Sequence, residues 1–248
     1  MHQFKVKSED LSKEIFEMTG DEAQHLICVL RLKKNDFVSL FDGMGKKVIA
    51  TIIAINRDSV KLKIIETRVL DAEPMVEITL YQSIPKKDKF EWIIQKATEL
   101  GAKQIVPIIT ERTIVNITNE NVAKKLLRWQ KIAQEASKQS NRACIPLVSE
   151  PMPFNKILNN LNHDLVLFLW NSEQSEKIKT VLDKFNGAKL KSVGVFIGPE
   201  GGWSPSEIEI AKTKNIISVS LGPRILRTET ASLTVLTILL YEFGDIGG

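Results

Sequence analysis

Metal-binding and disulfide-forming residues are scarce in this 248-residue sequence, which has two cysteines and three histidines. Cys28 and Cys144 lie far apart without a CxxC spacing, and His2, His25 and His163 are scattered along the chain. Zinc sites and disulfide frameworks need such residues at close, recurring spacings. The sequence therefore predicts neither of them, and we expect no metal in the protein's chemistry.

Long hydrophobic runs are missing as well. The longest apolar stretch, residues 233–243, is interrupted by Thr234 and Thr237 and is far shorter than the roughly 20 residues that a membrane span needs. Lys5 and Lys7 precede any apolar run, so we expect no secretory signal. Hydrophobic residues make up 43% and charged residues 26% of the chain, a composition typical of globular proteins. These features predict a cytoplasmic protein.

The common nucleotide-binding and hydrolase signatures are absent too. The sequence contains no GxGxxG after a strand, no GxxxxGK[ST], no GxSxG and no HExxH. These absences exclude the usual dehydrogenase, P-loop, serine hydrolase and zinc protease classes.

The net charge of +4 is unevenly distributed. Residues 84–142 hold 12 Lys and Arg against 6 Asp and Glu, whereas residues 1–73 hold 12 of each. Such a cluster of positive charge is typical of a surface that binds nucleic-acid phosphates. An ordinary solvated helix face would have the same composition.

Two patterns divide the chain into two domains. Residues 37–68 alternate β-branched runs with turns, which predicts a small antiparallel sheet or barrel, and residues 21–32 have the apolar spacing of a short helix. Asp71-Ala72-Glu73-Pro74 breaks this pattern. The predicted domains are therefore residues 1–73 and residues 74–248.

The second domain alternates strands with helices. Its apolar runs are VEITLYQ, QIVPII, DLVLFLW, VGVFIG and IISVSLG. Helical periodicity lies between these runs, notably over residues 88–100 and over residues 121–138, where lysine and arginine lie outside the apolar face. The alternation predicts an α/β fold with a mostly parallel, doubly wound sheet.

A glycine-rich loop follows the fourth of these strands. Gly198-Pro199-Glu200-Gly201-Gly202-Trp203 precedes Ser204, whose capping box with Glu207 predicts a helix start. A loop at the carboxyl end of a parallel strand is where open α/β sheets bind ligands, although a tight turn alone would also use glycine. Because the Glu200 carboxylate would repel an anion, the loop favours a ligand with a cationic centre.

The next strand ends in a similar loop. Leu221-Gly222-Pro223 is followed by Arg224, Ile225, Leu226 and Arg227. We expect two adjacent strand ends to supply main-chain contacts for an adenine, over an apolar bed. Read as structure alone, the apolar residues of this loop would be core and Arg227 a surface charge.

The closing segment, residues 231–243, is apolar over a wider arc than one sheet contact requires. We expect its second face to form a homodimer interface, although burial in one large core would explain the pattern almost as well.

Two strings in these loops are specific enough to suggest a family. GPEGGWSPSE (198–207) and LGPRILRTETA (221–231) resemble the bacterial 16S ribosomal RNA uracil-N3 methyltransferases, of the SPOUT class. FEWIIQKATELGAKQIVPIITERT is similar to the family's first catalytic-domain unit, RWQKIAQEASKQSNR to its basic helix and HLICVLRLKKNDFVSLFDGMG to its N-terminal PUA-like barrel.

The resemblance implies a trefoil-knotted α/β methyltransferase domain behind an RNA-binding PUA-like β-barrel, with 16S rRNA or the small ribosomal subunit as partner. It also implies S-adenosyl-L-methionine as methyl donor. The implied cofactor-binding residues are Leu169, Trp170, Gly198, Pro199, Glu200, Gly201, Leu221, Gly222, Ile225 and Leu226. The expected RNA-binding residues are Arg31, Lys124, Lys125, Arg128, Gln139 and Arg142.

Methylation at N3 of uracil requires loss of the imide proton and stabilisation of the resulting charge. Arg227 is the expected cation. Glu200 is the first candidate base, because a closed ligand loop would raise its pKa, and Glu229 is the second. Hydroxide from solvent could also accept this proton.

Two other functions remain open at this stage. A non-catalytic RNA-binding protein that assists ribosome assembly would keep the barrel and the basic helix but not need intact glycine loops. The protein could instead be a methyltransferase of the same fold that modifies a ribose 2′-hydroxyl or another base.

Overall fold

The computed structural model describes residues 1–67, 73–115, 119–170, 172, 176–185, 187, 189–214, 216–244 and 246–247. Asp71 and Ala72, in the predicted boundary, lie outside the described residues, and Thr67, Asn119 and Glu120 are described by their backbone only. The chain forms two compact units. One consists of Met1–Glu73 with Ser137–Ile145, and the other of Pro74–Ala136 with Pro146–Gly248.

The first unit is built on a five-stranded sheet. Its strands are β1 (Gln3–Lys5), β2 (Ile15–Thr19), β3 (Phe37–Phe41), β4 (Lys47–Ile55) and β5 (Ser59–Thr67). Their order is β1-β3-β4-β5-β2, with β1 parallel to β3 and the other pairs antiparallel. Apolar side chains from one face form the core, including Phe4, Leu40, Ile52 and Leu62. The β-branched alternation over residues 37–67 therefore forms antiparallel strands, as predicted.

The helix predicted over residues 21–32 is shorter. The helix α1 (Gly20–Gln24) leads into a π-helical turn, His25–Val29, in which the Leu30 amide donates to the His25 carbonyl at 3.0 Å. At Arg31 the backbone enters the left-handed region with φ 52°. This conformation ends the helix before residue 32.

A segment from later in the chain, Ser137–Ile145, belongs to this first unit. The Lys47 ammonium donates to the Asn141 carbonyl at 3.0 Å and to Asn141 Oδ1 at 2.6 Å. Gln3 Nε2 donates to the Arg142 carbonyl at 2.6 Å. Burial removes hydration from the Lys47 ammonium and thereby lowers its pKa. The hydrogen bonds to Asn141 replace much of that lost hydration.

The second unit contains an eight-stranded, entirely parallel sheet. Its strands are β6 (Glu77–Ser83), β7 (Gln104–Ile109), β8 (Leu147–Val148), β9 (Met152–Pro153), β10 (Leu165–Leu169), β11 (Glu176–Lys177), β12 (Ser192–Ile197) and β13 (Ile217–Ser220). The order is β11-β13-β10-β12-β6-β7-β8, and β9 also pairs with β7. The predicted α/β class with a parallel sheet is confirmed.

Helices alternate with these strands. They are α2 (Lys89–Leu100), α3 (Asn119–Gln139), α4 (Phe154–Ile157), α5 (Ile178–Asp183), α6 (Pro205–Lys212) and α7 (Thr228–Phe243). The predicted capping box at the start of α6 is confirmed, because Ser204 and Glu207 exchange both bonds. Within the described parts of the chain, no helix combines the length and apolar character needed to cross a membrane.

The strand order corrects one detail of the predicted site. The strands β12 and β13, which precede the two glycine loops, are not neighbours, because β10 lies between them. Sequence order does not fix spatial order when crossovers skip a strand. The end of β10 at Leu169 therefore separates the two loops at one edge of the sheet.

Candidate functional site

A cavity of about 810 Å³ opens at the carboxyl edge of the parallel sheet. It lies between the loops that follow β10, β12 and β13, with contributions from the residues after β6 and β7. Its lining residues are Lys86, Lys89, Arg112, Leu169, Trp170, Ile197, Gly198, Pro199, Glu200, Gly202, Trp203, Val219, Ser220, Leu221, Gly222, Arg224, Ile225, Leu226, Arg227, Thr228 and Ala231. Every predicted cofactor-binding residue except Gly201 is among them.

The first glycine loop is packed closely against its own tryptophan. Trp203 stacks on Phe168 with ring centroids 4.3 Å apart, and its indole N–H donates to the Leu169 carbonyl at 2.9 Å. A Cβ at Gly198 would lie 2.9 Å from the Trp203 ring, closer than real side chains approach. Glycine at 198 therefore allows the loop after β12 to lie against the end of β10.

We expect Gly198→Ala to weaken ligand binding in the cavity by at least about tenfold, because the added methyl group must displace the Trp203 ring. Gly201→Ala is the matched control, since its Cβ would lie 3.5 Å from Arg112, an ordinary contact. Isothermal titration calorimetry with S-adenosylmethionine compares the two. Equal affinities in both variants would contradict this account of the loop.

The second glycine loop lies at the mouth of the cavity. Gly222 has φ 122°, a conformation that strains other residues, and its amide is bonded to Ser220 Oγ at 3.2 Å. Leu221 and Leu226 are half-buried, whereas Ile225 is 89% exposed. The expected apolar bed is thus formed by two leucines, with Ile225 at the open rim.

A lysine holds both candidate carboxylates beside the cavity. The Lys89 ammonium lies 2.8 Å from Glu200 Oε1 and 3.2 Å from Glu229 Oε1. The Lys89 hydrogen bond holds the pKa of Glu200 below its usual value. This corrects the expectation of a raised pKa, because the loop places a cation on the carboxylate instead of an apolar enclosure. Glu200 is therefore a poor general base near neutral pH.

Two other cations line the cavity without an acidic partner. Within the described residues, Arg224 and Arg227 form no ion pair, whereas Lys86 interacts electrostatically with Glu200 and Arg112 with Glu111. Arg227 is the N-cap residue of α7 and makes no side-chain capping bond. A cation at a helix N-terminus is disfavoured by the helix dipole, and arginine cannot cap it. The position of Arg227 therefore indicates a role other than helix stability.

Sequence reasoning missed Lys86, Lys89 and Arg112. All three follow the carboxyl ends of β6 and β7, and Arg112 Nη1 donates to the Gly201 carbonyl at 2.8 Å. The glycine strings drew attention to two loops only. Applying the strand-end rule to every predicted strand would have found these residues as well.

The predicted RNA-binding residues are mostly at the surface. Arg31, Lys124 and Gln139 are exposed and Lys125 is half-buried. Arg128 is exposed too, although its guanidinium pairs with Glu91 at 2.6 Å. The side chains of Arg31, Lys124 and Gln139 are therefore accessible to a ligand.

Arg142 is an exception and corrects the prediction. Its side chain is 2% exposed, and its guanidinium lies 2.7 Å from Glu73 Oε2. Glu73 Oε1 also accepts from the amides of Ala143 and Cys144, at 3.0 and 2.9 Å. The guanidinium is thus used within the first unit, because it neutralises a carboxylate that holds residues 142–144.

Comparison with known sequences places this fold and cavity in a family. An RNA methyltransferase domain matches residues 72–240, and an RNA methyltransferase PUA domain matches residues 18–65. The chain belongs to the RNA methyltransferase family. The resemblance noted from the two glycine strings is confirmed at this level.

Members of this methyltransferase family match almost the whole chain. Ribosomal RNA small subunit methyltransferase E of Bacillus subtilis is 33% identical over 92% of this chain and 90% of its own length. The enzyme of the same name from Neisseria gonorrhoeae, solved bound to S-adenosyl methionine, is 30% identical with a TM-score of 0.87 over 99% of both chains. A Legionella pneumophila protein solved with the bound cofactor SAM is 32% identical, with a TM-score of 0.87 over 98% of both chains.

Proposed function

We propose that this protein is an S-adenosylmethionine-dependent methyltransferase that modifies N3 of a uridine in 16S rRNA of the small ribosomal subunit. The observation that carries the proposal is the cavity at the sheet edge, in a chain whose relatives include an rRNA methyltransferase solved with the same methyl donor. The uridine N3 specificity rests on the LGPRILRTETA string together with the N-terminal unit.

The residues present fit S-adenosylmethionine. A volume of about 810 Å³ lies within the range of small-molecule sites, and Leu221 and Leu226 offer an apolar surface to an adenine. Glu200 lines the cavity, and Glu229 follows the lining residue Thr228, with one carboxylate oxygen that is buried and has no hydrogen-bond partner among the described residues. The Glu200 carboxylate complements the positive charge of the donor. When bound, S-adenosylmethionine supplies an electrophilic methyl group on a positively charged sulfur.

The protein's own contribution to the reaction is to hold the uracil and stabilise its anion. Arg227 lines the cavity and forms no ion pair with the described acidic residues, so its guanidinium can pair with the uracil carbonyl on which negative charge develops. Glu200 and Glu229 both contact Lys89. We therefore infer that they bind cationic groups, and that hydroxide from solvent takes the imide proton.

Substrate RNA is proposed to contact Arg31 and Gln139 of the first unit, and Lys124, Lys125 and Arg128 of the second. The target uridine must leave its stack before its N3 can enter the cavity. Contacts between the lysine and arginine side chains and flanking phosphates would supply the affinity that holds the strand while this happens.

Changing Lys124, Lys125 and Arg128 together to alanine should weaken RNA binding. It should also reduce the slope of log affinity against log salt concentration by up to about 2 to 3, since each lost phosphate contact removes about 0.9 from that slope. Filter binding of a 16S rRNA fragment across salt concentrations measures the slope. The triple alanine variant at Lys177, Lys179 and Lys184 removes the same charge from β11, from α5 and from the C-cap residue of α5, and it should leave the slope unchanged. An unaltered slope in the first variant would remove α3 from the RNA-binding surface.

We further propose a homodimer, a trefoil knot in the second unit and a cytoplasmic location. On α7, Leu233 and Ile238 are half-buried and Tyr241 is 68% exposed. Apolar side chains that are incompletely covered on a helix favour a subunit contact. Analytical ultracentrifugation would test the dimer.

The proposed activity is tested with the full chain and small ribosomal subunits from a strain that lacks this gene. Calorimetry should detect S-adenosylmethionine binding, and nucleoside mass spectrometry should detect 3-methyluridine after incubation. Donor binding with a methyl group on ribose would refute the N3 assignment. Absence of donor binding would favour a non-catalytic role in ribosome assembly.

A further inference from the structure

Behind the cavity lies a buried amide that the proposed mechanism does not use. Gln82 is fully buried near the end of β6, in register with Ile197 of β12 and Pro107 of β7. It does not line the cavity. Burying a polar side chain in a sheet core costs free energy unless each of its polar atoms forms a hydrogen bond. The hydrogen-bond partners of Gln82 therefore indicate its role.

All hydrogen-bonding groups of this amide are used. Gln82 Nε2 donates to the Ser83 carbonyl at 2.8 Å and to Thr228 Oγ1 at 2.9 Å. Its Oε1 accepts from the Ser232 hydroxyl. With both amide protons and the oxygen engaged, the orientation of the Gln82 side chain is fixed.

The bond to Thr228 continues into the first glycine loop. Thr228 Oγ1 accepts from Gln82 and donates its own proton to the Gly198 carbonyl at 2.8 Å. Because the amide supplies the donor on one side, the Thr228 hydroxyl must point its proton at Gly198. The chain of bonds therefore runs in one direction, from β6 through the start of α7 to the loop after β12.

Two members of this relay belong to the cavity wall, since Gly198 and Thr228 line it. Gly198 begins the first glycine loop, and Thr228 directly follows Arg227 at the end of the second. We propose that Gln82 is a positioning residue, which sets the separation of the two cofactor loops and the place of Arg227 through Thr228. This inference rests on the proposed function.

The inference is tested with Gln82→Met in the full chain, a change that keeps the length of the side chain but removes both donors. Loss of a buried donor pair should raise the dissociation constant for S-adenosylmethionine by about ten- to a hundredfold. The rate of backbone amide hydrogen exchange should increase more at residues 198–202 and 221–228 than in the rest of the protein. Thr98→Val is the control, because Thr98 is a buried hydroxyl bonded within α2 to the Ile94 carbonyl at 2.7 Å, so it loses stability without touching the relay.

A purely structural role for Gln82 predicts that both variants lose thermal stability while donor affinity and loop exchange stay at wild-type values, and that result overturns the inference. Absence of donor binding in the wild-type protein instead overturns the proposed function. If Gln82→Met does not fold, Thr228→Val breaks the same relay at its centre and must give the same loss of affinity. Wild-type affinity in Thr228→Val would equally overturn the inference.

Discussion

Replacing Arg227 with alanine should lower kcat by about 10²- to 10³-fold, the usual cost of removing one group that stabilises developing negative charge. The affinity for S-adenosylmethionine should remain close to that of the wild type, because we propose that the two glycine loops and Glu200 hold the donor. Single-turnover methylation of small subunits and calorimetry measure the two quantities separately.

The kcat of Arg227→Lys should lie between that of the wild type and that of Arg227→Ala, since lysine keeps the charge but lacks the planar pair of donors. Lys214→Ala is a suitable control, because the Lys214 ammonium donates to the exposed Asn159 amide oxygen at 3.3 Å and Lys214 is not part of the cavity lining. If Arg227→Ala weakened donor binding but left the rate of methylation at saturating donor unchanged, Arg227 would be a cofactor-binding residue.

The largest loss of stability is expected for Glu73→Ala, at about 3 to 5 kcal/mol of the free energy of unfolding. The change leaves the buried Arg142 guanidinium without the carboxylate that lies 2.7 Å from it. It also removes the acceptor for the amides of Ala143 and Cys144. Urea denaturation followed by circular dichroism measures the loss.

Glu9→Ala is the control for this variant, since Glu9 pairs with Lys7 at 3.8 Å and both side chains are largely exposed. Such surface pairs contribute about 0 to 1 kcal/mol. Similar losses in the two variants would mean that the pairing of Glu73 with Arg142 is not what stabilises the segment. The double variant Glu73→Ala with Arg142→Met should recover part of the loss, because it no longer buries an unpaired charge.

The elements of the fold were accessible from sequence wherever a local pattern determines them. Short continuous apolar runs predicted the strands β6, β7, β10, β12 and β13, because strands buried on both faces have this composition. The start of α6 was predicted by its capping box, a local exchange of bonds. The insertion of β10 between β12 and β13 was not accessible, since it depends on crossovers between distant segments.

The candidate site also combines features that local sequence patterns predict with features that depend on distant segments. The glycine loops predicted the cavity because strand ends and turn residues are local signals. The pairing of Lys89 with Glu200 joins residues from two distant segments, and it reversed the expected direction of the Glu200 pKa shift. For Arg142, the resemblance of the string QSNR (139–142) to the methyltransferase family suggested RNA contact, but the carboxylate that pairs with it, Glu73, lies far away in sequence.

The assignment of Ser137–Ile145 to the first unit has a consequence for how this protein is made. Translation releases the amino-terminal strands first, yet the segment that satisfies Lys47 and Gln3 leaves the ribosome only after residues 74–136 have been added. The amino-terminal unit of the nascent chain therefore stays incomplete until part of the next unit has been synthesised. A fragment cut at residue 73 would stay in that unfinished condition, so the two halves should be produced and studied as one polypeptide.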